Sequence, residues 1–477
     1  MLRIPVIRGL RMLGESRGGK AEERGKGIAG QSLSEPAVEV LAEYTVGPVK
    51  YILYKSMGLD VRLRVQEPGS PPSSERLRQL LSGLDSPRDE AERYYLEKAR
   101  SGYGPLYPLV IDPNIEEVAV EGPGRPVAVI HRSVPGVWVT VDLELGEDEA
   151  DGLVMSLARK AGRSISIAVP MAEGLTHEGY RIAATFGREV SRFGSSVVLR
   201  KYPEKPVTIA DLVRAGTLSP LVAAYLWVLV EAQSFILITG GMGAGKTTLL
   251  QSIANLIPPF HRVLTIEDTP EIRLDLPHWD SLVTRPALPG EQLEPISLED
   301  LLKFALRRRA EYIIVGEVRG REARLLAQAA ASGHGSMTTM HASGPEGALL
   351  RLQLEPINLP RAFIELIGAI VHLRRVNLGL GGIKRRVAEV TEIDGDEIVT
   401  VFRWKPDTDS IEPASPEEVY DASSRLREAA TLIPHVTDPV EDLAERASII
   451  ERAAQVGGNA IARAVRRFYE RRYGGSM

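Results

Sequence analysis

Apolar positions along this chain follow two rhythms. Up to about residue 205 the runs are short and alternate with polar residues. Val61-Arg62-Leu63-Arg64-Val65 alternates apolar with basic, and residues 38–65 predict strands. Residues 75–81 and 86–101 predict helices, the second opening on Ser86-Pro87 in the N-cap and first-turn positions. Strands are expected at 115–120 and 127–130 around Gly122-Pro123-Gly124, a helix at 147–161 stopping before Gly162, and a strand at 195–199. The stretch Tyr202-Pro203-Glu204-Lys205-Pro206 predicts a linker.

Past the linker, blocks of consecutive apolar residues alternate with amphipathic stretches. Ser219-Pro220 opens a helix, 235–238 is wholly apolar, and 247–256 predicts a helix. Further buried strands are expected at 263–266, 312–315 and 337–340, with helices at 297–309 and 321–332 between them. That alternation predicts a doubly wound parallel sheet. Residues 440–472 predict helix, and no internal repeat is visible.

Composition narrows the class. The 477 residues suggest about three domains, and 44% hydrophobic with 25% charged residues excludes a disordered or fibrous chain. A formal charge of −5 gives no sign of a nucleic-acid partner. With no Cys there is no disulfide framework, Cys-ligated zinc or thiol nucleophile. The apolar runs 221–230 and 366–371 are closed by Glu231, and by Glu365 and His372. Both fall short of the ~20 residues of a spanning helix. Arg3, Arg8 and Arg11 interrupt what would be a signal-peptide core. A soluble protein is expected. Residues 1–34, with seven basic and three acidic side chains, suggest a basic flexible arm.

The sharpest motif is Gly240-Gly241-Met242-Gly243-Ala244-Gly245-Lys246-Thr247, which fits G-x-x-x-x-G-K-[ST] between a predicted strand and a predicted helix. Glycines let backbone N–H groups turn toward phosphate oxygens, and the helix N-terminus adds its positive dipole end. Lys246 would reach the β- and γ-phosphates and the Thr247 hydroxyl would bind Mg²⁺. Hydrolysis also needs carboxylates. Thr265-Ile266-Glu267-Asp268-Thr269-Pro270-Glu271 and Ile313-Ile314-Val315-Gly316-Glu317-Val318-Arg319 offer them after buried strands. Glu267 is expected to polarise the attacking water and Glu317 to hold Mg²⁺ through its hydration shell, with Arg319 beside it. His334 and His341 flank a third strand, but seven residues apart and without a third ligand they do not predict zinc. His341 is expected to sense phosphate or to contact a neighbouring subunit.

At these motifs the sequence resembles the ATPases of type II and type IV secretion and filament systems, most closely the archaeal branch that powers archaella, pili and related secretion machines. The likeness rests on Leu226-Trp227 through Glu231, 240–248 (including Thr248), 266–271, 305–320, Gly333-His334, 338–342, Arg351-Leu352 and Glu355-Pro356-Ile357. It extends upstream to Tyr103-Gly104-Pro105-Leu106, Asp112-Pro113, His131-Arg132, Gly194-Ser195-Ser196 and Arg200-Lys201. The resemblance implies a Walker A loop at 240–248, an acidic box around Glu267 and Glu271, a Walker B-like element at Glu317, and a histidine box at His341. It also implies a homo-hexamer whose ATP-driven hinge motion is relayed to a polytopic membrane platform protein. Two departures stand out: no tetracysteine zinc module is possible, and Ala310-Glu311 replaces the usual Pro-Asp or Pro-Glu.

The architecture expected is therefore α/β, a C-terminal RecA-like P-loop ATPase domain with a smaller N-terminal α/β domain and a C-terminal helical extension. Its divisions are a basic arm at 1–37, an α/β subdomain at 38–101, a PAS-like α/β domain at 102–205, the ATPase domain at 206–413 and a helical region at 414–477. The function expected is a Mg²⁺-dependent ATP hydrolase, cytoplasmic and peripheral to the membrane. A RecA-like nucleic-acid translocase or helicase is the alternative, disfavoured by 5% aromatics and a negative charge. A nucleotide-binding regulator without turnover is disfavoured by the Glu267 and Glu317 pair. Arg181 and Arg200 are assigned to the nucleotide. Arg200 is expected to meet the γ-phosphate within its own chain, since about ten residues reach at most ~35 Å.

Overall fold

The computed structural model describes residues 39–56, 60–134, 136–201, 206–285, 294–377, 383–395 and 397–474. The expected basic arm and most of the linker lie outside these residues. The chain divides into two compact units, 1–203 and 204–477.

In the first unit, β1 (Glu39–Val46), β2 (Val49–Lys55) and β3 (Val61–Gln66) precede α1 (Ser74–Leu81), α2 (Glu90–Ser101) and α3 (Tyr107–Ile111). Then come β4 (Ile115–Val120), β5 (Pro126–His131), β6 (Trp138–Glu144), α4 (Glu147–Lys160), β7 (Met171–Leu175), β8 (Arg181–Thr185) and β9 (Ser196–Arg200). The nine strands form one sheet in the order β1-β2-β3-β6-β5-β4-β9-β8-β7. Segments 38–101 and 102–205 thus share a sheet, and one core containing Tyr51, Leu53, Leu106, Val118, Leu157 and Leu199. Helix α2 starts later than its sequence suggests. Asp89, rather than Ser86, caps it, its carboxylate accepting from the Glu92 N–H at 2.8 Å.

The second unit opens with α5 (Ile209–Arg214) and α6 (Pro220–Glu231). Ser219 caps α6 and Pro220 sits at its first position, where no N–H is needed. Next are β10 (Phe235–Gly240), α7 (Lys246–Ala254), β11 (Val263–Glu267), β12 (Trp279–Val283), α8 (Leu298–Ala305), β13 (Tyr312–Val315), α9 (Glu322–Ala331) and β14 (Gly335–Met340). There follow α10 (Pro345–Gln353), α11 (Arg361–Ile364), β15 (Ile367–Asn377), β16 (Ile383–Asp394), β17 (Glu397–Lys405) and β18 (Ser410–Glu412). Four helices close the unit: α12 (Pro416–Ala422), α13 (Ser424–Leu432), α14 (Pro439–Val456) and α15 (Ala460–Tyr473).

The sheet order is β12-β11-β13-β14-β10-β15-β16-β17-β18. The strands from β12 through β15 run parallel, and β16–β18 continue the sheet as antiparallel hairpins. Alternate residues of the central strands feed opposite faces, as a sheet covered on both sides requires. Ile236, Ile238, Tyr312 and Ile314 join the core under α6, α7 and α14. Leu237, Ile313 and Val315 join the core under α8 and α9. Helix α6 is buried along its whole length. Its terminal Glu231, which in sequence only ends an apolar run, pairs with buried Arg446 of α14 at 2.5 Å. Arg446 also bonds Asp442 at 2.8 Å and lies over the Trp227 and Phe468 rings.

Candidate nucleotide site

Because the central strands are parallel, the residues that follow them meet at one edge of the sheet. Strand β10 ends at Gly240, where a Cβ would stand 2.6 Å from the Leu373 carbonyl oxygen of β15; only glycine fits. Gly243 and Gly245 take φ of +67° and +94°, which wind the chain into a loop that delivers Lys246 to the first turn of α7. Met242 at the loop's crest is exposed, and Ala244 is buried beneath it. Thr247 and Thr248 continue the first turn of α7.

Lys246 is largely buried, and its Nζ donates to the Gly241 carbonyl at 3.2 Å. The same ammonium stands 3.3 and 3.4 Å from the two ring nitrogens of His341, one residue past β14. Burial lowers the Lys246 pKa, against the opposing pull of Glu317. Burial also lowers that of His341, helped by the Lys246 charge, which favours a neutral imidazole.

Glu317 lies two residues past β13. Its Oε2 accepts from Arg319 at 2.8 Å, and His341 Nε2 is 3.4 Å from its Oε1. That Oε1 is buried and accepts no hydrogen bond. Burial alone would raise the Glu317 carboxyl, but the Arg319 hydrogen bond and the charges of Arg319 and Lys246 carry it below the ordinary range. Gly316, just before it, is fixed by the Thr339 hydroxyl, which donates to its carbonyl at 2.8 Å.

Glu267 closes β11. Its Oε1 accepts from the Glu271 and Ile272 N–H groups, both at 3.0 Å, while Oε2 is buried without a partner. Burial pushes this carboxyl up to about 7, only partly offset by those two backbone bonds. A Cβ on Gly316 would come within 3.0 Å of Glu267 Cγ, so a glycine lets the Glu267 side chain lie against the strand end that leads to Glu317. The edge thus presents a glycine cradle, a buried ammonium, a neutral imidazole, one ionised carboxylate and one carboxyl poised near neutrality.

A family profile described as type II/IV secretion system protein matches residues 189–364. An uncharacterised protein of Methanocaldococcus jannaschii is 34% identical over 365 residues, 75% of this chain and 65% of the relative. A second protein of that organism is 44% identical over 209 residues, 42% of this chain and 77% of the relative. This chain belongs to the type II/IV secretion system protein family. The chain spans 65% of the length of the first of these relatives. It is also similar to the VirB11 ATPase of the Brucella suis type IV secretion system, with 28% identity, 63% of this chain and 96% of that chain covered, and a TM-score of 0.30.

Within this family member the expected site residues part company. Gly240 to Thr248, Glu267, Glu271, Glu317, Arg319 and His341 gather at the carboxyl edge of the sheet. His334 does not. It precedes β14, so the length of that strand, roughly 20 Å for its six residues, separates it from His341. Its Nδ1 bonds the Ala329 carbonyl at the end of α9, 3.0 Å away. Arg181 and Arg200 belong to the first unit, where they stand directly opposite each other on β8 and β9. Arg181 Nε donates to Glu173 at 3.1 Å. Sequence reading missed Arg385, whose Nε donates to the Gly243 carbonyl of the loop at 3.0 Å. Its only sequence signal was the basic run Lys384-Arg385-Arg386. Among the described residues no helix is long and apolar enough to cross a membrane.

Proposed function

We propose that this chain is an ATP hydrolase that drives a type IV filament or secretion machine. The observation that carries the reading is Lys246, held at the mouth of the glycine loop and facing Glu317 and His341. The loop would cradle the β- and γ-phosphates on its N–H groups, with Lys246 adding a point charge to the transferring phosphoryl. On nucleotide binding, Lys246 would exchange the Gly241 carbonyl and the imidazole for phosphate oxygens, which form stronger, charge-assisted bonds. His341, released from the ammonium, would stay within reach of Glu317 and of the reacting phosphate. Arg319 keeps Glu317 ionised, and Glu267, poised near neutrality, can accept a proton from water at working pH.

A Mg²⁺ ion fits these residues. The buried, unbonded Oε1 of Glu317 and the Thr247 hydroxyl are hard oxygen donors, which that cation prefers. Thr247 would hold it directly and Glu317 through water, and it would neutralise charge building on the phosphate oxygens. Assembly as a homo-hexamer that works on a membrane platform protein, from the cytoplasmic side, completes the proposal.

The test is nucleotide binding and turnover by the full chain and by Lys246→Ala. Loss of tight ATP binding and of turnover in the variant is expected. Unchanged affinity and turnover would refute the assignment. Turnover stimulated by single-stranded or duplex DNA would favour a nucleic-acid translocase instead.

A further inference from the structure

The hairpin of β15 and β16 crowds five cations together. Its register sets Arg374 opposite Arg386, Arg375 opposite Arg385, and Val376 opposite Lys384. Like charges directly opposite one another destabilise a sheet. Arg386 is compensated: it is buried and makes two 2.7 Å bonds to the Asp409 carboxylate. The other four are exposed, and none forms an ion pair among the described residues.

Two of those four lie on the phosphate loop. Besides its bond to the Gly243 carbonyl, Arg385 has its Cδ 3.1 Å from where a Cβ on Gly245 would stand. Arg375 Nη1 is 3.8 Å from where a Cβ on Gly243 would stand. Paired residues of a hairpin share a face, so Arg375 and Arg385 face the loop together while Arg374 and Arg386 take the opposite face.

Sheet order decides which end of a nucleotide they would meet. Strand β10 has β14 on one side and β15 on the other. Glu317 and His341 follow β13 and β14, which puts the reacting phosphate on the β14 side. A nucleotide with its γ end there runs its α-phosphate and ribose toward β15 and β16.

We propose that Arg375 and Arg385 are nucleotide-binding residues that hold the α-phosphate and ribose end in the same subunit as the phosphate loop. The proposal rests on the reading of that loop as an ATP site. A guanidinium carries five N–H donors, and Arg385 uses one of them on Gly243, which aims the rest of its fork outward from the loop. Contacts so far from the bond that breaks hold ATP and ADP alike, so they contribute uniform binding rather than rate.

The test is equilibrium binding of a non-hydrolysable ATP analogue and of ADP to the full chain carrying Arg375→Ala and Arg385→Ala together. Both affinities should fall about tenfold or more, as for lost charge-assisted hydrogen bonds, with their ratio unchanged. Arg374→Ala, on the hairpin's other face, should bind as the wild type does. If the double alanine variant does not fold, the double lysine variant, which keeps both charges and loses both forks, should give an intermediate loss at the same ratio. Unchanged affinities would overturn the proposal. So would a loss for the ATP analogue alone, which would put these cations at the γ-phosphate. Wild-type protein that binds neither nucleotide would remove the parent reading, and this contact with it.

Discussion

Glu267 should make the stability of the second unit depend on pH in a way that one substitution abolishes. Its carboxyl is carried from an ordinary 4.5 to about 7, chiefly by burial. Between those values the folded protein binds more protons than the unfolded chain, so stability falls as pH rises. The loss begins near pH 4.5 and is complete once pH has passed 7. At 1.36 kcal/mol per pH unit it amounts to about 3 kcal/mol. Glu267 is only 4% exposed, so solvent screening removes little of this. Glu267→Gln keeps the shape and an oxygen for the Glu271 and Ile272 N–H groups but cannot ionise. Urea unfolding of both proteins at pH 5 and pH 8.5 isolates the effect, because other titrating groups cancel in the difference. Trp279 reports locally, since its indole donates to Thr265 of β11 at 2.9 Å. The variant should gain about 3 kcal/mol relative to the wild type between the two pH values. A difference that stays flat within about 1 kcal/mol would show that Glu267 ionises normally, and would remove it as a base tuned to neutral pH.

Glu317→Gln should keep nucleotide binding and lose turnover by ~10²-fold or more, because an amide is a far weaker base and ligand; wild-type turnover in steady-state assays would strike Glu317 from the mechanism. Arg446→Ala should destabilise the second unit by about 3–5 kcal/mol, since Glu231 and Asp442 lose a buried partner. Denaturant unfolding that shows a loss under about 1 kcal/mol would mean the pair is not held in the folded state.

What the sequence revealed depended on whether the signal was local. The phosphate loop is contiguous, and its flanking strand and helix stand where 235–238 and 247–256 predict them. Strands β11 and β13 are short apolar runs and were equally legible. Strands β7 and β8, Met-Ala-Glu-Gly-Leu and Arg-Ile-Ala-Ala-Thr, carry too little apolar contrast to announce themselves. The helix expected at 297–309 is shorter in the structure: α8 ends at Ala305, and the chain past it turns off, with Arg309 at a φ of +50°. The long antiparallel β15 and β16 were hidden by their arginines. Strand register, which alone brings Arg385 to Gly243, has no sequence signature. Glu231 shows the same limit: its charge reads as the end of an apolar run, and its partner lies more than two hundred positions away.

The Glu231–Arg446 pair also determines where this protein can be cut. A fragment ending near residue 413 would keep every residue of the phosphate site and look, by motif, like a self-sufficient catalytic core. It would also strip α14 and α15 from α6, uncovering Trp227 and leaving Glu231 without Arg446 and Tyr473. Such a fragment would offer neighbouring molecules a helix built to face only protein, and its fate in solution should be aggregation rather than catalysis. The last helices are the outer wall of the second unit's core, so a shortened version, a fusion or a graft has to carry α14 and α15 whole.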